Sequence, residues 1–153
     1  MATSSWSATY RLVSQDHLQI QHRPGVYRIR AYNDSDQAIP IARANGVDGL
    51  GLLHIGQSIR LGTRIREFRQ AAEGRKAAHP AGREYKRWEF SRLFPFGQLR
   101  FDYVLEDNQA EAIKVERELH EEYRRRYLDR PPLDSQSGQD VAARLAMTTP
   151  SSE

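Results

Sequence analysis

Two residues stand where their neighbours do not favour them. His54 interrupts the apolar run Leu50-Gly51-Leu52-Leu53-His54-Ile55-Gly56, and Glu116 falls among Ala112, Val115, Leu119 and Tyr123. Read as a strand, the first segment points Leu53 and Ile55 to one face and Leu52, His54 and Gly56 to the other. One face then reads as core, and the other offers an imidazole, the group that titrates nearest neutrality. Read as a helix at about 100° per residue, the second segment puts Glu116 inside the apolar arc, whereas Glu118 and Glu121 point away. A carboxylate turned toward the core is costly unless something offsets its desolvation. A metal ion would do so, and so would a buried arginine, with a structural salt bridge to Arg64 as the plain version. Arg64 borders the stripe Leu61, Ile65, Phe68 and Ala72, while Arg66 and Arg69 look outward. Its five fixed donors match the oxygens of a phosphate. An acid and a base thus come from different helices, over strands that carry Tyr27 and His54.

Those helices and strands follow from the hydrophobic periods. Pro24-Gly25 punctuates the chain, and Val26–Tyr32 alternates, with Tyr27, Ile29 and Ala31 on one side and Val26, Arg28 and Arg30 on the other. Ile39–Arg43 reads as a short edge strand because Pro40 cannot donate to a ladder. Leu50–Gly56 is the next strand, and these segments form a hairpin or small meander. After Gly56 the period changes to that of a helix from Leu61 to Ala72, ended by Gly74. Arg75–Phe90 is a long basic connection with a helix around Tyr85 to Leu93, and Leu99–Glu106 returns to strand alternation. Asp107-Asn108 is a turn and cap for a helix from Gln109 to Tyr127, which Pro131-Pro132 cannot continue. The order strand, strand, helix, strand, helix predicts one α/β or α+β domain over residues 23–134. Residues 1–22 read as a lead-in that packs Trp6, Tyr10 and Leu12 on the domain edge, and 135–153 as a mobile tail.

The 153 residues are 39% hydrophobic and 28% charged, the composition of an ordinary globular protein. There is no cysteine, which excludes disulfides and thiolate metal sites and leaves oxygen or imidazole as ligands. The first residues lack the apolar run of a signal peptide, and no stretch approaches the roughly 20 apolar residues of a membrane span. A cytoplasmic protein without a membrane partner is the expectation. The net charge of +3 is small, but its layout is polar: eleven Lys and Arg against four Glu from Arg60 to Arg100, then eight acids against two bases from Asp102 to Glu122. Arg75, Lys76, Arg83, Lys86 and Arg87, interleaved with Tyr85, Trp88 and Phe90, suit a nucleic-acid backbone with stacking nearby. A solvated face with Trp88 and Phe90 in the core is the equally weighted alternative.

The ordered set PGVYRIRA, GLLHIGQS, LGTRIREF, AIKVERELHEEY and PPLD, spanning Pro24 to Asp134, resembles the GIY-YIG nuclease superfamily. Gly25-Val26-Tyr27 matches the first signature. His54-Ile55-Gly56 stands for the second, with histidine where tyrosine is usual. Arg64 matches the family's helix arginine, Glu116 its metal-binding glutamate, and Pro132-Leu133-Asp134 its closing segment, with aspartate for asparagine. His79, Gly82 and Tyr85 match a pattern of some bacterial members, which gives His79 and Tyr85 supporting roles, as the closing segment gives Asp134. Phe68 occupies the place where some members carry a further histidine, a contribution that is missing here or supplied by His54 or His79.

The resemblance implies a small central three-stranded, mainly antiparallel sheet flanked by helices. It also implies hydrolysis of phosphodiester bonds in DNA, or in RNA, by a monomer or homodimer with one magnesium or manganese ion. Glu116 would hold the metal, and Arg64 would neutralise charge on the phosphate. Tyr27 would be the base toward water, with its phenol lowered from a pKa near 10 by positive neighbours. His54 would take the proton from Tyr27 or orient the water. The changed second signature and Asp134 raise a rival, a nucleic-acid-binding module that kept the fold and lost the chemistry. A second rival is an interaction protein in which Glu116 and Arg64 simply pair.

Overall fold

The computed structural model describes residues 5–134, an α+β fold in which helices cover both faces of one antiparallel sheet. The chain runs β1 (Tyr10–Arg11), β2 (Gly25–Arg30), β3 (Ile41–Ala42), β4 (Val47–Asp48), β5 (Leu52–Ser58), α1 (Leu61–Ala72), α2 (Pro80–Arg87), β6 (Arg100–Leu105) and α3 (Gln109–Tyr127). The sheet order is β1-β6-β2-β5, with β3 and β4 forming a separate two-stranded ribbon. The sheet therefore has four strands where three are predicted. The extra one comes from the lead-in, where Tyr10 pairs with Phe101 and Arg11 with Arg100. Leu12 and Ile20 are buried in the main core, so residues 5–22 belong to the same packed layer. The predicted tail, 135–153, lies outside the described residues.

The two faces of the sheet bury separate cores. Tyr27, Ile29 and Leu53 pack with Leu61, Ile65 and Phe68 of α1, whereas Val26, Leu52 and Ile55 pack with Ala112 and Tyr123 of α3. Strict alternation would group Leu53 with Ile55, and a bulge prevents this. Ile29 opposes His54 while its neighbour Arg30 opposes Leu52, which leaves Leu53 as the extra residue on β5. Such a bulge re-aims the side chains around it, and Leu53 turns to the α1 face beside His54. His54 is accordingly not on a solvated face but is buried at 9% exposure.

The helices begin where the sequence supplies caps. α3 opens on Asn108, whose side chain accepts from the Glu111 amide at 2.9 Å. α2 starts earlier than Tyr85, because Pro80 takes the first helical position and His79 Nδ1 accepts from the Gly82 amide at 3.3 Å. α2 ends at Arg87 and a 3-10 turn, Phe90–Arg92, follows. A Cβ on Gly82 would lie 2.7 Å from the Phe68 carbonyl oxygen, so glycine lets α2 press onto α1. On the far side of β2, Arg28 is fixed by Asp102, opposite it in register, through bonds of 2.9 and 2.5 Å. It also lies 3.6 Å over the ring of Trp6.

Candidate active site

A cleft of about 570 Å³ opens where the ends of β2, β5, α1, α2 and α3 meet the Pro132–Asp134 turn. Tyr27, His54, Arg64, His79, Glu116 and Asp134 all line it. Each is aimed by its own element. Tyr27 opposes Gly56 across the β2–β5 ladder, and a Cβ there would come within 2.7 Å of the phenol ring and its oxygen. Glycine at position 56 is therefore the space in which the Tyr27 ring lies.

At the floor is a chain of buried hydrogen bonds. The Tyr27 oxygen lies 2.6 Å from His79 Nε2 and 3.0 Å from His54 Nε2. His54 Nδ1 bonds Asp134 Oδ1, and Asp134 Oδ2 accepts from the Ile55 amide at 2.8 Å. Phe68 stacks on His54 and meets His79 edge-on, with ring centroids 5.9 and 5.2 Å away. It is the apolar wall that holds the two imidazoles, and His79 brings the second imidazole to Tyr27.

Burial sets the ionisation of these groups. It pushes the Tyr27 phenol far above its ordinary value, with Arg64 pulling the other way and Asp134 and Glu116 adding to the rise. This corrects the expectation that positive neighbours lower it, because desolvation of a fully enclosed phenolate outweighs one arginine. Tyr27 is thus a phenol at neutral pH. Burial, then the neighbouring His54 and Arg64, pushes His79 down to about 2, so that it is a neutral imidazole.

Arg64 and Glu116 enter the cleft from α1 and α3 without pairing. Arg64 Nη1 donates to Glu67 at 2.7 Å and to the Ala78 carbonyl at 2.9 Å, which ties α1 to the segment leading into His79. Among the described residues only that nitrogen of the guanidinium is engaged, which leaves Nε and Nη2 for an anion. Glu116 is half-buried, and its carboxyl is pushed up by burial, against the pull of His120 and His54. No group of three His, Cys, Asp or Glu side chains that could hold a metal occurs among the described residues. A single desolvated carboxylate beside open space fits a hard cation that keeps most of its water shell, as magnesium does, and does not fit a closed four-ligand site.

Comparison of the chain with protein-family models, with curated proteins and with solved structures gave no match. The geometry alone therefore speaks for the site.

Three further basic or titratable side chains line the cleft: His120, Arg124 and Arg130. His120 and Arg124 follow Glu116 by four and eight positions, a spacing that keeps them on its helical face and that would have exposed them in the sequence. His120 Nε2 lies 3.3 Å from the Ile55 carbonyl and 3.8 Å from Asp134. Arg130 sits in a loop with no periodic signal. Tyr85 is not in the cleft: it is buried in the core, and its hydroxyl donates to the Phe94 carbonyl at 2.6 Å. Its place in the pattern with His79 and Gly82 is explained by packing of α2. The basic connection divides as well. Arg75, Arg83, Lys86 and Arg87 line a second cleft of about 470 Å³, which shares Pro80 with the first. Lys76 is exposed nearby, Phe90 is buried, and Trp88 packs against the core, so the aromatics face inward while the cations face solvent. No helix among the described residues is long and apolar enough to cross a membrane.

Proposed function

We propose that the protein is a metal-dependent phosphodiesterase that cuts DNA as an endonuclease of the GIY-YIG type. The observation that carries this reading is the convergence of Tyr27, His54, Arg64 and Glu116, from four different elements, on one cleft. A phenol with an imidazole acceptor moves a proton, a guanidinium with free donors binds a phosphate, and a desolvated carboxylate holds a hard cation. Together these are the parts that hydrolysis of a phosphate diester needs.

Glu116 is the residue that would hold magnesium or manganese, which when bound supplies charge to polarise the phosphate and stabilise the leaving oxygen. Arg64 places its free edge against the non-bridging oxygens, where charge grows as water attacks. Tyr27, a phenol at rest, takes a proton from the attacking water only as it passes its own to His54. Water has limited access to this floor, since Tyr27 is 1% exposed, and the electrostatic effects of Arg64 gain strength accordingly. Arg124 and Arg130 add positive charge on the α3 side, and the second cleft extends it past Pro80, along which the backbone of a bound strand would run.

The test is cleavage of labelled single-stranded, duplex and branched DNA, and of RNA, with magnesium, manganese or a chelator. Glu116→Ala is expected to lower metal-dependent cutting by about 1,000-fold or more, a loss of about 4 kcal/mol of transition-state stabilisation. Salt-sensitive binding by both proteins with no cutting would replace hydrolysis with binding alone. An absence of both binding and cutting would leave the cleft to a partner of another class.

A further inference from the structure

The floor of the cleft fixes the direction of every proton in it. At one end the Gly82 amide can only donate, so His79 Nδ1 accepts and the proton of this neutral ring is on Nε2. His79 Nε2–H therefore donates to the Tyr27 oxygen at 2.6 Å. The Tyr27 hydroxyl, already receiving one donor, turns its own hydrogen to His54 Nε2 at 3.0 Å. At the other end the Asp134 carboxylate can only accept, one oxygen from the Ile55 amide and the other from His54 Nδ1. Reversing any link would set two hydrogens or two lone pairs against each other in a buried place, at a cost of about 1–3 kcal/mol.

We propose that Tyr27, His54 and Asp134 form a proton relay in which Asp134 is a positioning residue, locking resting His54 in the Nδ1–H tautomer so that Nε2 can receive the Tyr27 proton. The proposal rests on the hydrolytic reading above and makes the two departures from the signature, His54 and Asp134, one unit. In the reaction the O–H bond of water breaks as the new P–O bond forms. The water proton reaches the Tyr27 oxygen while the Tyr27 proton moves to His54 Nε2, which leaves a phenol and an imidazolium against the Asp134 carboxylate. The bond from phosphorus to the leaving oxygen breaks with its electron pair on that oxygen. A proton from solvent completes the leaving alcohol, and His54 returns one proton to solvent through Tyr27. No oxidant or second substrate is needed.

Asp134→Asn tests the lock because asparagine has one acceptor where aspartate has two. The Ile55 amide requires an oxygen, so the amide NH2 faces His54 and draws its ring into the Nε2–H tautomer. Tyr27 then meets two N–H donors and has no acceptor for its own proton. Nitrogen-15 NMR of the histidine-labelled protein, with His54 assigned by the signal lost in His54→Ala, is expected to show the Nδ1–H form in the parent and the Nε2–H form in Asp134→Asn. A parent in the Nε2–H form, or a tautomer unchanged by the substitution, would overturn the proposal.

Cleavage supplies a separate reading with the same proteins. Asp134→Asn is expected to slow cutting by at least about 100-fold in the parent, yet by no more than about threefold in a His54→Ala background. An equal loss in both backgrounds would make Asp134 a structural prop and overturn its role through His54. A parent that cuts neither DNA nor RNA overturns the hydrolytic reading itself, and the NMR measurement then still decides whether Asp134 locks His54.

Discussion

The two clefts share Pro80 as a wall and differ in how their side chains are held. In the first, Tyr27, His54, His79 and Asp134 are packed between elements, and each polar atom answers to another. In the second, Arg75, Arg83, Lys86 and Arg87 are all exposed and come from one helix and the loop before it. Chemistry at a fixed atom needs the first kind of construction, because misplacement by about 1 Å can cost about 100-fold in rate. Attraction of a charged chain needs only the second, since exposed cations act through a field that tolerates motion.

The strongest way to break this contrast is Gly56→Ala. The added methyl would lie 2.7 Å from the Tyr27 ring and oxygen, so the ring must shift. Cutting is expected to fall by about 100-fold while binding to DNA stays near that of the parent, with a stability loss of about 1–3 kcal/mol by thermal melting. Equal activity would mean that the first cleft does not depend on its packing. Reversing charge in the second cleft, as Arg83→Glu with Arg87→Glu, is expected to act in the opposite way. Affinity should weaken by about tenfold at low salt, with a shallower salt dependence, while the cutting rate at saturating DNA changes by less than about twofold. A slower saturated rate would place these arginines in the chemistry.

A further difference is read from pH, at His79 on the floor of the first cleft. His79 has a pKa of about 2 when folded, against about 6.5 ordinarily, so between those values the unfolded chain binds the extra proton. Unfolding free energy therefore falls as pH drops below about 6.5, by up to about 1.4 kcal/mol per pH unit from this group. His79→Asn keeps an oxygen for the Gly82 amide and carries no charge. Denaturation curves between pH 7 and pH 4 should show a flatter decline for the variant, and parallel curves would mean that His79 is protonated inside the fold.

The same contrast explains what could be read from the residues alone. α1 and α3 fall within their predicted bounds because a long apolar stripe and a capping asparagine act locally. The register at Leu53 could not be read, since a bulge depends on the partner strand and period-two patterning does not record it. β1 is only two residues long, and its pairing is decided by β6, far along the chain. The start of α2 is not legible in the residues because histidine is an uncommon cap, and the role of His79 is set by its burial against Phe68. At the site, Tyr27, His54, Arg64 and Glu116 drew notice because each is a polar group in apolar company. His120 and Arg124 did not, although their spacing from Glu116 was available. Tyr85 shared a motif with His79 but serves the core, which shows that one short pattern can combine a site residue with its packing support.

Asp134 contacts His54 across 80 positions of the chain. During synthesis, Tyr27, His54, Arg64 and His79 leave the ribosome long before the carboxylate that completes their arrangement. A nascent chain stopped anywhere short of residue 134 would hold the imidazole with no partner for Nδ1 and nothing to choose its tautomer. The hydrogen-bond chain at the floor of the cleft is thus finished only when the Pro132–Asp134 turn docks against β5.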